Sequence, residues 1–349
     1  MMERPQTEAI SGKSGPAATA NLPAHPLTDG FRGFLRRNRN PIGAFLMMLI
    51  FWALLIIGNP QVFTNPYAYT SVMTSTLPAT LVLATAMIFT TTSGVLDLSY
   101  ASTIGIGAWA FAFLSASGYS PWLGLALAIV LGISVGLINS LLVLYFRLTP
   151  LIATLGMLFL VRGLVNILSN GKSIPLAFIQ DTSFYTVCCS NIPVGNFQIP
   201  IQMLWALLFA AITWVLYSHH QFGKHIHIIG DNEESAREMG IPINRVKAFT
   251  YVYTGFAAAL VGVFISTILN TFWPITGDAY MLPTLSAIFV GGNPLVGGMG
   301  TVVGAGIGSF TTSFIETGII AAGFDEFYTR FVHGVVLIVS LLGFRTTRR

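Results

Sequence analysis

Apolar runs follow one another through this chain with so few charges between them that a soluble fold is excluded. Crossing about 30 Å of hydrocarbon at about 1.5 Å per residue takes close to twenty apolar residues in a helix. Ten stretches meet or approach that length: 42–57, 71–92, 99–116, 122–146, 151–168, 201–217, 248–269, 280–290, 301–320 and 327–344. With 54% of 349 residues hydrophobic and 9% charged, a soluble surface would itself have to be apolar. The expected fold is an all-α, polytopic transmembrane helical bundle of about ten spans, with short or broken helices near a pathway. Its transmembrane domain covers 42–344. A disordered tail covers 1–41, rich in Ala, Pro, Thr and Ser and without a cleavable apolar core, and a second tail covers 345–349.

Alternating the spans puts the N-terminal tail, the turn at Arg147, the 223–247 segment and the C-terminal arginines on one side. That side then holds 14 of the 17 Lys and Arg residues, so by the positive-inside rule it is cytoplasmic, and both termini with it. The net charge of +4 reflects topology and anionic membrane lipid, and no basic stripe with interleaved aromatics points to nucleic acid. Cys188 and Cys189 fall in the 169–200 loop on the other side, where a vicinal disulfide and two independent thiols are both open.

The hydrophilic island 223–247 concentrates scarce charge. Asp231 or Asn232 can cap a short helix there, Glu233 and Glu234 sit in its first turn, and Gly240 with Pro242 ends it. So short a helix does not repay its nucleation cost alone, so it packs on its own transmembrane domain or docks on a partner.

Three places break the pattern of regular spans. The 280–290 run is too short to cross unaided; Pro283 lies near its start, and the turn that follows contains Gly291, Gly292, Gly297, Gly298 and Gly300. Irregular backbone at membrane depth is tolerated only against protein or a water-filled cavity, so the missing length is expected from irregular backbone buried among neighbours, with the glycine turn cytoplasmic; a re-entrant segment returning to the outer side is the alternative. Asp97 interrupts the second and third runs, and a carboxylate there needs water, a cation or hydrogen-bond donors. Arg162 lies inside the 151–168 run with Asn166 one helical turn on, so either that face lines a polar interior or the arginine reaches an interface. Gly132 with Gly136, and Gly304 with Gly308, have the spacing of close helix packing.

Several chemistries are missing. GKS at 171–173 ends like a phosphate-binding loop, but the first glycine that motif needs is Asn166. His220, His225 and His227 lack a completing carboxylate or an HExxH pattern and read as basic flank rather than metal ligands. Neither a nucleophile elbow nor an intramembrane carboxylate pair is present.

Four stretches in order resemble the membrane permeases of ribose-type ABC importers for monosaccharides and related small polyols. SGVLDLSYAS, 93–102, resembles the family's GGIDLSVGS segment; TPLIATLGMLFLVRG, 149–163, its P-F-I-A-T-L-G run followed by R-G; 223–262 its cytoplasmic loop and following helix; and AIFVGGNPLVGGMGTVVGAGIG, 287–308, its glycine-rich signature. Val95, Tyr100, Ala101, Asn293 and Pro294 depart from the common residues. The resemblance implies an inner-membrane translocation subunit of a bacterial importer that is not itself an enzyme, working with an ATP-binding subunit, a second permease copy as homodimer or paralogue heterodimer, and an extracytoplasmic sugar-binding protein. It implies that this chain binds no cofactor, ATP and Mg being held by the partner. It makes the short helix a coupling helix, with Asp231, Glu233, Glu234, Ala236, Arg237 and Gly240 as the coupling residues. Asp97, Ser99, Asn139, Thr154, Arg162 and Asn166 are the candidates for the translocation pathway. The competing class is an ion-coupled secondary transporter in which Asp97 carries a proton or sodium ion.

Overall fold

The structure is a computed structural model that describes residues 39–58, 66–195, 197–294 and 297–347. In chain order its elements are α1 (Arg39–Gly58), α2 (Pro66–Thr74), α3 (Leu77–Thr92), α4 (Tyr100–Ala116), α5 (Pro121–Ser140, continued by a π turn at Leu141–Tyr145) and α6 (Pro150–Ser169). There follow β1 (Ile174–Pro175), a 3-10 turn (Ala177–Asp181), α7 (Ser183–Cys188), β2 (Asn191–Val194), β3 (Phe197–Pro200), α8 (Ile201–Ser218), α9 (Gln221–Asp231) and α10 (Glu233–Glu238). The last are α11 (Ile243–Ile268), β4 (Thr271–Phe272), a 3-10 turn (Asp278–Tyr280), α12 (Met281–Val290), α13 (Val302–Ala321) and α14 (Glu326–Thr347). The tail read over 1–41 lies outside the described residues except for 39–41, which open α1; the tail read from 345 begins inside α14.

Among the described residues four helices are long and apolar enough to cross a membrane: Pro121–Tyr145, Pro150–Ser169, Ile201–Ser218 and Ile243–Ile268. Counted as one span, the pair α2 and α3, bent by 48° at a two-residue break, makes a fifth. Three apolar helices are shorter, Tyr100–Ala116, Asp278–Val290 and Phe327–Ser340, so the ten expected runs are not ten full-length helices. The first two of these lie beside Asp97 and the glycine turn, where the pattern breaks.

Burial follows composition. Every residue of α3 is buried, as a helix apolar on all sides requires, and α4 and α11 are buried along most of their length. α5, α6 and α8 bury one face and leave leucines, isoleucines and aromatics exposed on the other. Helices approach closely where glycine removes the side chain. A Cβ on Gly132 would lie 2.4 Å from Gly255 O, and one on Gly308 1.9 Å from Ala287 O, so both small-residue spacings pack helices as expected.

The two ends of the bundle differ. At one end β1 pairs antiparallel with β4, β2 with β3, and α7 covers the start of α5 through Trp122 and Phe184. At the other lie the turn at Arg147, α9, α10 and the glycine turn. From β4 to that turn the chain crosses the bundle, first as irregular backbone over 273–280 and then as α12, whose ten residues rise about 15 Å. The segment is therefore a broken crossing and not a re-entrant hairpin, and the glycine turn shares an end with α10.

The island 223–247 corrects its reading as a loop with one short helix. Its first part belongs to α9, and α11 begins inside it at Ile243. Phe222, Ile226 and Ile229 turn one face of α9 into the core while Lys224 stays exposed, an i, i+4, i+7 pattern short enough to pass for a basic flank. His220 caps it, its Nδ1 accepting from Phe222 N at 3.2 Å.

Candidate functional site

The chain between α3 and α4, residues 93–99, is non-helical yet almost wholly buried. Asp97, 1% exposed, organises it. Its Oδ1 accepts from Ser99 N at 2.8 Å and Ser99 Oγ at 2.7 Å, and Asn139 Nδ2 of α5 approaches both carboxylate oxygens at 3.4 Å and Ser99 Oγ at 2.7 Å. The Asp–x–Ser turn thus supplies an acceptor for a backbone N–H that the start of α4 would otherwise leave unmet. Around it Asn139 Oδ1, Tyr251 Oη and Thr254 Oγ1 are buried without a partner, leaving polar capacity that a well-packed core would not leave.

Arg162 closes a second junction. From α6 its Nη1 donates to Pro274 O at 2.8 Å and Thr276 O at 3.1 Å, its Nη2 donates to Ala101 O at 3.2 Å, and it pairs with Asp278. One guanidinium therefore ties α6, the first turn of α4 and the irregular 273–278 stretch together, a planar fork suited to several carbonyls at once. Tyr100 Oη donates to Met281 O at 2.7 Å. The N-terminal ends of two short helices, α4 and α12, thus meet between the two ends of the bundle.

Of the predicted pathway residues the fold brings Asp97, Ser99 and Asn139 into one cluster and sets Arg162 at the neighbouring junction. Thr154 and Asn166 join neither: Thr154 Oγ1 donates to Pro150 O at 2.8 Å within α6, and exposed Asn166 donates to Arg162 O at 3.1 Å. Asp278, Pro274 and Thr276 escaped the reading, although Pro274, Gly277 and an acid beside a span too short to cross were signals available in the sequence. Asn293, also missed, is buried and holds the glycine turn through its Oδ1, which accepts from Thr301 N at 2.6 Å. Gly291 touches Gly304 across the α12–α13 contact, and Gly292, Gly297 and Gly298 adopt positive φ.

The coupling candidates gather on α10. Asn232 Oδ1 accepts from Glu234 N at 2.9 Å and Ser235 N at 3.1 Å, the N-cap expected there. Glu233 pairs with Lys247 of α11 at 2.5 Å and with Arg237 at 3.8 Å, and Gly240 ends the helix at φ +74°. Ala236 is buried, whereas Asp231, Glu233, Glu234, Arg237 and Gly240 are exposed. The helix packs on its own chain through one small residue and one ion pair, and its remaining surface is open.

Cys188 and Cys189 are free thiols. Burial pushes both up to about 11.

Comparison with known proteins agrees with this geometry. The family described as branched-chain amino acid transport system / permease component matches residues 67–341. The ribose import permease protein of Escherichia coli K12 is 26% identical over 86% of this chain and 92% of its own, and that of Bacillus subtilis 168 is 29% identical over 86% and 91%. The autoinducer 2 import system permease protein of Salmonella typhi is 28% identical over 76% of this chain and 78% of its own. A solved inward-facing metal-chelate type ABC transporter aligns over 87% of this chain and 99% of its own at a TM-score of 0.48 and 13% identity, a likeness too loose to carry weight. A multi-pass apolar bundle with these motifs, matched across most of its length, belongs to the permease-component family of membrane transport systems, among the ribose-type permeases of ABC importers.

Proposed function

We propose that the chain is the membrane-spanning subunit of an ATP-binding cassette importer that moves a monosaccharide or related small polyol across a bacterial inner membrane by alternating access. The observation that carries this reading is α10: a capped two-turn helix, held in place by Ala236 and Glu233, presenting Glu234, Arg237 and Glu238 outward at the end that also carries Arg147, Lys224, Arg245 and Lys247. An element too short to stand alone, rigidly mounted and left open, suits docking to a second subunit. That subunit would bind ATP and Mg and hydrolyse the nucleotide; this chain performs no covalent chemistry. A second permease copy, as homodimer or paralogue heterodimer, and an extracytoplasmic solute-binding protein complete the assembly. The sugar class rests on the similarity to the ribose import permeases of Escherichia coli and Bacillus subtilis.

An ion-coupled carrier is the weaker reading, because Asp97 faces Ser99 and Asn139 in a tight turn that serves the helix break. Uptake of radiolabelled monosaccharides into proteoliposomes, with and without the ATP-binding subunit and with a protonophore, tests the choice. Uptake that needs the ATP-binding subunit and ignores the protonophore is expected. Uptake by the permease alone that a protonophore abolishes would overturn the proposal.

A further inference from the structure

Behind α10 lies a joint whose groups neither break uses. α9 and α10 share Asn232, which ends one helix and caps the other. On α9, His227 Nδ1 donates to Gly298 O of the glycine turn at 3.0 Å. Gly298 N donates to Thr92 O at 2.9 Å, answering a carbonyl at the end of α3 that has no partner within its helix. Thr92 Oγ1 is 2.7 Å from Tyr217 Oη, at the end of α8, in a buried hydrogen bond, and the Tyr217 ring meets His227 edge-on with centroids 4.9 Å apart. There is no slack between these parts. A Cβ on Gly230 would lie 1.8 Å from Thr92 O and 2.4 Å from Gly298 N, and one on Gly300 would lie 2.6 Å from Thr92 Oγ1.

We infer that Tyr217, His227 and Thr92 are positioning residues that carry displacement of α10 to the two breaks. The inference rests on the importer reading and deepens it. Because α9 touches backbone at both Thr92 and Gly298, a shift of α9 moves the last residue of α3, five residues before Asp97, together with the turn that continues α12. Packed backbone contacts without intervening side chains transmit a displacement instead of absorbing it, as close-packed interiors do. Coupling by this route reaches Asp97 from one side and Met281, through α12, from the other.

The test uses the complex of this permease with its ATP-binding subunit and a cysteine at partly buried Leu96, in a background lacking Cys188 and Cys189. Maleimide labelling of that cysteine is compared without nucleotide and with ATP and vanadate, alongside basal ATPase and thermal stability. In the parent complex nucleotide trapping is expected to change the labelling rate severalfold. Tyr217→Phe and His227→Leu should each cut that change about five-fold, the worth of one hydrogen bond, with subunit binding and basal ATPase retained. His227→Asn, which keeps a donor where Nδ1 stands, should restore it. Tyr217→Phe combined with Thr92→Val should be no worse than either alone, because they remove one shared bond. A full nucleotide response in both Tyr217→Phe and His227→Leu, or no response in a parent complex that hydrolyses ATP, overturns the relay. A permease that captures no ATP-binding subunit overturns the importer reading and the relay with it.

Discussion

Replacing Arg162 with alanine should loosen the junction of α4, α6 and the 273–278 stretch, and the cost can be worked from its contacts. Three carbonyls, Pro274 O, Thr276 O and Ala101 O, lose a charged donor. Hydrogen bonds to charged groups contribute about 1.5–3 kcal/mol each, but a side chain 14% exposed leaves room for water to replace part of them. About 1–1.5 kcal/mol per carbonyl gives a total of roughly 3–5 kcal/mol. Asp278 adds little, since its side chain is 55% exposed and an exposed ion-pair partner is worth under about 1 kcal/mol. At about 2–4 °C per kcal/mol for chains of 150–250 residues, and less for a longer one, Arg162→Ala should lower the thermal midpoint of the purified protein by roughly 5–10 °C. Asp278→Ala should lower it by less than about 2 °C. Arg162→Lys should fall between, because an ammonium cannot span three carbonyls on two segments. The reasoning fails if Arg162→Ala and Asp278→Ala shift the midpoint equally, for then the ion pair and not the carbonyl clamp holds the junction.

Asp97→Asn should keep far more transport than Asp97→Leu, because asparagine preserves an acceptor for Ser99 and its amide can donate to Asn139 Oδ1, which now lacks a partner. Equal loss in the two would mean that the charge itself is required. Gly240→Val forces a β-branched residue into positive φ at about 1–2 kcal/mol, so the protein should insert normally yet lose ATP-driven uptake; stimulated ATPase activity and uptake at parent levels would refute this. In a cysteine-free background, a cysteine at exposed Met299 should label from the cytoplasmic side and one at exposed Asp325 from the outside, and outer-side labelling at Met299 would overturn the broken crossing. Alkylation of Cys188 and Cys189 should be slow at neutral pH and rise about tenfold per pH unit, because the reactive thiolate grows toward a pKa near 11; a plateau by pH 9 would contradict their burial.

Where local rules decide structure, the sequence was readable. Asn232 caps, Gly240 terminates, Gly132 and Gly308 pack, and Asp97 marks a helix break, each from residues within one helical turn of the feature. Arg162 was visible as a costly charge, but its partners lie 61 to 116 residues away in sequence, and only the meeting of α4 with the 273–278 stretch chooses between a polar interior and an interface. α9 escaped because three core-facing apolar residues in eleven, Phe222, Ile226 and Ile229, look like a flank until α3 supplies the surface they face. Thr154 sat on a promising helix, yet its hydroxyl turned back to its own backbone, a local competition that spacing does not reveal.

The helices with exposed apolar faces differ in length. α5 with its π turn runs 25 residues, α6 20 and α8 18, or about 37, 30 and 27 Å at the helical rise. A hydrocarbon slab of uniform thickness cannot match all three at once. The longest must lean, or the shortest must draw the leaflets inward beside it, at fractions of a kcal/mol per Å of mismatch. Where tilt does not absorb the difference, the membrane is thinner along α8 than along α5, and acyl-chain length becomes a variable that acts on this bundle from outside without touching a single polar group.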